Sequence, residues 1–443
     1  MTTRVIIVRH GQSSYNAQKM IQGRCDESVI TELGKQQAEK LGQTLAHVKF
    51  ANIYSSPLQR ATETAKIIQV HNTNNPALTI LEKLREINLP LWEKWQKEDV
   101  IREYPDKYKL WKEKPHQLTM TENGREFYPI LDLYAQAQEF WRVIIPKHSG
   151  ETILITAHNG INRCLIMSAL AMPPSRYHSI QQSNCCINVL NFTGNFGDVV
   201  QLESLNQTAH LGAAIPDFRP DSNSILRLLL VRHGETEWNR MSRFQGVKDI
   251  PLNENGKAQA QKARDFLQDV TIDFGVTSPL SRPKETAEII LEAHPHVNLT
   301  IKKDLEEISH GLWEGKLEAE IEAEYPGLLQ QWKDAPETVQ MPEGENLEQV
   351  WQRAVKAWLE IVAENLSSAN KTGIVVAHDA INKVIICYLL GLQASNFWNI
   401  KQGNGAVTVI DYPHGKDGMP VLQAINLTNH LGGVFDQTAA GAL

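Results

Sequence analysis

The chain has 443 residues, 42% of them apolar and 21% charged, with a formal net charge of −7. That length allows two or three domains with substantial cores, in the composition range of ordinary soluble globular proteins. The weak negative charge excludes general attraction to nucleic acid or anionic lipid, so any basic site must be local, and no run of about 18 apolar residues reads as a membrane span. Met1 leads within a few residues into a strand, which leaves no room for a signal peptide and points to the cytoplasm. The five cysteines, Cys25, Cys164, Cys185, Cys186 and Cys387, are odd in number and lack Cys-x-x-Cys spacing. They read as reduced thiols in or near the core, neither bridges nor zinc ligands.

The first element is RVIIV (4–8), an apolar run that reads as a buried strand and stops at Arg9-His10-Gly11, because a cation, an imidazole and a glycine cannot continue a dry core. TELGKQQAEKLGQTLAHV (31–48) spaces Leu33, Ala38, Leu41, Leu45 and Val48 along one helical face. ANIYSS (51–56) reads as a strand and LQRATETAKIIQV (58–70) as a helix. TILITAH (152–158) is a strand, and a helix over NGINRCLIMSALAM (159–172) follows at once. This alternation predicts an α/β fold of three αβα layers, a mostly parallel sheet with helices on both faces. Ligands of such sheets bind outside the carboxyl ends of the strands, where Arg9, His10, Ser55, Ser56, Arg60 and His158 all fall.

The whole pattern is written twice. VIIVRHGQSSYN (5–16) returns as LLLVRHGETEWN (228–239), SSPLQRATETAKII (55–68) as TSPLSRPKETAEII (277–290), and ILITAHNGINRCLI (153–166) as GIVVAHDAINKVII (373–386). The offset drifts only from 223 residues between His10 and His233 to 220 between His210 and His430. Self-similarity of this kind predicts two homologous domains, 1–212 and 226–443. Residues 213–225, opening with AAIPDFRPDSNS, read as the linker.

At one rim of such a domain, Arg9 and Arg60 would present planar forks of donors suited to phosphate oxygens. A neutral histidine nitrogen can attack phosphorus and form a covalent intermediate, while fixed donors meet the charge on the equatorial oxygens. The leaving alkoxide needs a proton, and Glu86 in the repeated LREI segment is the best carboxylic acid for it. These residues resemble the histidine phosphatase, or phosphoglycerate mutase-like, superfamily, whose hallmark is Arg-His-Gly at the end of the first strand. The resemblance implies that His10 and His233 are the nucleophiles. It implies that Arg9, Arg60 and His158, with Arg232, Arg282 and His378 in the second copy, form the phosphate pockets. It makes Glu86 and Glu307 the proton donors, and places Asn16, Gln22, Asn239 and Gln245 along the phosphate sites. The family uses no metal or other cofactor, and no ligand cluster in the sequence contradicts that.

Other repeated or conspicuous residues read as structural. His210 and His430 follow the last strand of each copy, Trp92, Trp95 and Trp313 are expected to pack, and His47, His71 and His148 to lie at the surface. Cys185-Cys186 also reads as packing. The first copy carries Pro90 and Lys94 where the second has Gly311 and Gly315, and Arg125 where the second has Glu345, which reshapes its substrate mouth. Glu86 to His158 spans only 72 residues and Glu307 to His378 only 71, so each compact copy resembles the phosphatase branch more than the enclosed mutases. The expected partner is a small-molecule phosphate ester: a phosphorylated sugar acid, phosphoserine, phosphoglycerate or a nucleotide-like ester. Arg85, Lys94 and Arg125 are candidates for contacting a substrate carboxylate. A mutase-type isomerase, or one catalytic domain beside one regulatory phosphometabolite-binding domain, are the alternatives, and the oligomeric state is left open.

Overall fold

The structure, a computed structural model, describes residues 1–218, 225–416 and 418–438. Its contacts divide the chain into two compact units, Met1–Ala213 and Ala214–Leu443. Residues 219–224 of the expected linker lie outside the described residues. Among the described residues no helix is long and apolar enough to cross a membrane.

In unit 1 the strands are β1 (Thr3–Arg9), β2 (Asn52–Ser55), β3 (Ala77–Ile80), β4 (Met120–Glu122), β5 (Arg125–Phe127), β6 (Thr152–Ala157), β7 (Ile187–Phe192) and β8 (Val200–Gln207). Within the unit the sheet runs β3-β2-β6-β1-β7-β8, with β4 and β5 apart as a hairpin. The first four strands are mutually parallel, and β7 and β8 extend the sheet antiparallel. Val5, Ile6, Ile7 and Val8 are all buried, as a strand covered on both faces requires. The steps β1 to β2 and β2 to β3 run one way along the sheet, and β3 to β6 runs back. Right-handed crossovers therefore put helices Glu32–Thr44 and Gln59–His71 on one face and Pro129–Ile144 on the other, where Asn159–Ala169 packs against it.

That reversal places the site. β1 and β6 are neighbours whose following segments leave toward opposite faces, so a crevice opens at their carboxyl ends. Register puts Arg9 beside Ala157 and Ser55 beside Thr156, so His10, Ser56 and His158 leave the sheet at one level.

Unit 2 repeats the plan with β9 (Leu226–Arg232), β10 (Phe274–Thr277), β11 (Leu299–Ile301), β12 (Lys371–Ala377), β13 (Val407–Tyr412) and β14 (Val421–Leu427). Its order is β11-β10-β12-β9-β13-β14, with Arg232 beside Ala377 and Thr277 beside Val376.

Two expectations need correction. The helix expected over 31–48 spans Glu32–Thr44, and Leu33 is 49% exposed. Its buried stripe is Gly34, Ala38 and Leu41, spaced i, i+4, i+7, and Leu33 lies about 100° off that line. His148 is buried, with Nε2 bonded to the Tyr54 hydroxyl at 2.7 Å and Nδ1 to Glu151 at 2.7 Å.

Candidate active sites

The glycine of each Arg-His-Gly is fixed by close packing. A Cβ on Gly11 would stand 2.3 Å from the Gly34 carbonyl oxygen, and one on Gly34 would stand 2.1 Å from the Gln12 oxygen. Unit 2 repeats this contact between Gly234 and Gly256. The loop after the first strand is thus clamped to a helix start, which turns the preceding histidine into the crevice.

His10 is buried, with Nδ1 2.7 Å from the carbonyl oxygen of Gly11. A carbonyl only accepts, so Nδ1 carries the proton and Nε2 keeps its lone pair. His233 does the same toward Gly234 at 2.7 Å, and its Nε2 accepts from Arg282 Nε at 3.2 Å, a second and independent fix of the tautomer. The paired histidine stands edge-on to it, with ring centroids 5.1 Å apart for His10 and His158 and 5.2 Å for His233 and His378. His158 Nε2 is 2.7 Å from Ser56 Oγ and His378 Nε2 is 2.8 Å from Ser278 Oγ, while each Nδ1 is buried and unbonded.

The arginines are held by backbone oxygens, which orient Arg9, Arg60 and Arg282 without neutralising them, whereas Arg232 also stands 3.3 Å from the Asp379 carboxylate. Arg9 donates to Gln182 O at 2.8 Å and Arg60 to Cys25 O and Gly23 O at 2.9 and 3.0 Å. Arg232 donates to Gln402 O, and Arg282 to Lys248 O and Gly246 O at 2.8 Å each. Burial, then these guanidiniums, hold His10 and His233 well below the ordinary histidine range. His158 and His378 are lowered by the same causes. Burial also pulls Arg282 down to about 10, still charged at neutral pH.

Asn16 and Gln22 accept from Ser13 through their side-chain oxygens, as Asn239 and Gln245 do from Thr236, leaving their NH2 groups as donors for another acceptor. Sequence reasoning missed the residue that joins this set to the nucleophile. Asn184 Nδ2 donates to His10 O at 2.9 Å and to Asn16 Oδ1 at 3.3 Å, and Asn404 repeats both bonds in unit 2. The repeated QQSN (181–184) and KQGN (401–404) was the available signal.

Glu86 is buried and accepts from the N–H groups of Ile87, Gly160 and Ile161 at 2.8, 2.9 and 3.0 Å, the last two at a helix N-terminus. Glu307 takes Ile308 N at 2.9 Å but Ala380 N only at 3.4 Å. Burial, then the nearby Asp379, raises its carboxyl above the usual range, against Arg282 and Arg232. The loops carrying these glutamates are held differently. In unit 2 Arg353 donates to the carbonyls of Asp304, Glu306 and Glu307 and pairs with both oxygens of Glu345. In unit 1 Gln136 takes Lys83 O and Arg85 O, and Arg24 takes Glu86 O and Gln136 Oε1.

Lys94 holds the left-handed conformation of Gly315 at φ +69° and is paired with Glu27, and Arg85 is paired with Glu82 at 2.8 Å. Arg125 lies exposed on β5. His210 and His430 bond the backbone oxygens of Cys185 and Gly405, each held at about 4 by burial. Trp92 and Trp313 are buried among aromatic rings, and Trp95 is partly exposed against Tyr104. All five cysteines are unbridged and buried. Among the described residues no group of three His, Cys, Asp or Glu side chains is placed to hold a metal ion.

The buried histidines set an acid limit on folding. The unfolded chain binds protons at histidine below about pH 6.5, whereas His10, His158, His233, His378 and His310, the last at about 3, stay neutral in the fold. Stability is therefore complete above pH 6.5 and is lost as pH falls, by about 1.4 kcal/mol per unit for each such group. Thermal unfolding followed from pH 8 to 5 is expected to show a level midpoint above 6.5 and a steep fall below it; a flat profile would contradict the burial.

Residues 5–205 and 228–428 each match the histidine phosphatase superfamily (branch 1). Over 97% of its length the chain is 30% identical to 2-carboxy-D-arabinitol-1-phosphatase of Triticum aestivum, of which it covers 86%. Over 47% of its length it is 37% identical to phosphoserine phosphatase 1 of Hydrogenobacter thermophilus, of which it covers 95%. A solved structure, Bacillus stearothermophilus YhfR, is 31% identical over 43% of this chain and 93% of that one, with a TM-score of 0.41. The chain belongs to the histidine phosphatase superfamily as two tandem copies, and it is a phosphatase of that superfamily.

Proposed function

We propose that residues 1–212 and 226–443, joined by the linker 213–225, are two metal-independent phosphomonoesterase domains working through phosphohistidine. The observation that carries this reading is the tautomer: Nδ1–H of His10 and His233 is tied to a carbonyl, so Nε2 needs no deprotonation before attack. Nε2 bonds to phosphorus as the ester P–O bond breaks, and the leaving alkoxide takes the proton of Glu86 or Glu307. Arg9, Arg60 and His158, or Arg232, Arg282 and His378, meet the charge on the equatorial oxygens, with the amides of Asn16, Gln22, Asn239 and Gln245 beside them. Water then attacks phosphorus, gives its proton to the glutamate carboxylate, and the N–P bond breaks to release phosphate.

The substrate we favour is a phosphorylated sugar acid such as 2-carboxy-D-arabinitol 1-phosphate. The full-length similarity to the Triticum aestivum enzyme, which spans both copies, supports this choice. A cytoplasmic setting fits the five unbridged thiols. The test is phosphate release from a panel of sugar-acid phosphates, phosphoserine and phosphoglycerate, with and without chelator. Release is expected to be unchanged by chelator and fastest on a sugar-acid phosphate; dependence on added divalent metal would overturn the mechanism, and isomerisation without release would make the protein a mutase.

A further inference from the structure

We propose that Arg163 makes unit 1 selective for phosphate esters that carry a carboxylate as a second anionic group, and that Asp379 withholds this selectivity from unit 2. The proposal rests on the reading of both units as phosphomonoesterases.

The helices Asn159–Ala169 and Asp379–Leu390 each start directly after the second histidine of their site. Their fifth residues are cations, Arg163 and Lys383, and long side chains on a helix lean back toward its N-terminus. In unit 2 the protein supplies a counter-charge there. Lys383 Nζ is 2.7 Å from one Asp379 oxygen, and the other lies 3.3 Å from Arg232 Nη1, so one buried carboxylate joins the phosphate cradle to the second cation.

Unit 1 has the cations without the acid. Asn159 replaces Asp379 and is partly exposed where Asp379 is buried. Arg163 is only 6% exposed, yet it reaches no carboxylate at ion-pair distance among the described residues. Its partners are His178 Nδ1 and Gln181 Oε1, both at 3.4 Å, and the Tyr177 hydroxyl and ring, while its Nε is buried and unbonded. Arg9 is likewise without a carboxylate at that distance and its Nε is unbonded; burial lowers its proton affinity, Arg163 adds to that, and Cys186 and Glu86 oppose it. Two buried guanidiniums that act on each other and lack an ion-pair partner favour an incoming anion, because the ligand provides the pairing the chain omits. A carboxylate two or three bonds from the phosphate ester suits this chemistry. In unit 2 the same carboxylate would meet Asp379, a like charge already holding both cations.

The experiment uses the full chain with one nucleophile left, His233→Ala to isolate unit 1 and His10→Ala to isolate unit 2. kcat and KM are measured for 3-phosphoglycerate and for glycerol 3-phosphate, which lacks the carboxylate. Unit 1 is expected to prefer the acid by about 10- to 100-fold in kcat/KM, mostly through KM, and unit 2 to show no such preference. Arg163→Gln in unit 1 should collapse the ratio toward one. Asn159→Asp, at a partly exposed position, should do the same by pairing Arg163, and covers the case in which Arg163→Gln does not fold. Asp379→Asn should raise the ratio of unit 2. Equal ratios in the two units, or a ratio unmoved by Asn159→Asp, would overturn the proposal alone. Hydrolysis of neither ester by unit 1 would overturn the phosphomonoesterase reading and this proposal with it.

Discussion

Replacing His10 and His233 together by alanine is expected to reduce phosphate release by about 10⁴-fold or more, while either single replacement leaves the other unit working. The size follows from what each imidazole does. The other groups of each cradle are differently engaged: Arg9, Arg60, Arg232 and Arg282 are cations, and His158 and His378 have Nε2 against a serine hydroxyl. Without a nitrogen to take phosphorus, only direct attack by water remains. The loss should appear in kcat, because the arginines that bind ground-state phosphate are untouched. The variant should also stay folded, since it removes a ring that burial and two guanidiniums already discourage from charging. Alkaline quenching with labelled substrate should leave base-stable, acid-labile phosphate on the parent and on both single variants, and none on the double variant. Label on only one single variant would make the other unit a binding module. A double variant retaining a tenth of the parent rate would end the phosphohistidine account.

What is legible in the sequence is whatever a short stretch fixes by itself. RVIIV followed by Arg-His-Gly shows its strand, its end and its chemistry within eight residues, and a second copy turned each weak signal into a strong one. The alternation of strands and helices carried the layer order because crossover handedness leaves few choices. The partners made at long range were not legible. Ser56 meets His158 across 102 residues and Asn184 meets His10 across 174, and no local pattern marks either bond. Nor does spacing reveal that Gln136 and Arg24 share in unit 1 the loop contacts that Arg353 makes alone in unit 2. Arg85 and Lys94 were attractive as carboxylate contacts from charge alone, but Glu82 and Glu27 pair with them. His148 is polar in sequence and buried in the fold because Tyr54 and Glu151 satisfy both ring nitrogens.

In unit 2, isolated by His10→Ala, Glu307→Gln is expected to slow hydrolysis of alkyl phosphates by about 10²- to 10⁴-fold. In kcat/KM, which reports phosphoryl transfer to His233 and not the later attack of water, the same change should scarcely affect p-nitrophenyl phosphate, whose leaving group departs without a proton. The geometry says which oxygen carries that proton. Oε1 receives the Ile308 N–H at 2.9 Å and is fixed as an acceptor, while Oε2 has only a long 3.4 Å approach from Ala380 N. The protonated form is favoured first by burial and then by Asp379, and is opposed by Arg282 and Arg232, with Lys383 also close and Arg353 held on the Glu307 carbonyl oxygen. His378 and His233 stay neutral beside it and add no competing charge. Because this acid must be protonated to act, its contribution is complete below its raised pKa and is lost as pH rises through it. The parent unit should therefore show an alkaline limb in kcat for alkyl esters, and Glu307→Gln should remove the limb together with the rate. Equal losses for alkyl and aryl esters would assign Glu307 to holding the helix start at Asp379. Selective loss on the poor leaving group makes it the acid, because only proton donation discriminates between two esters that present the same phosphate to the same cradle.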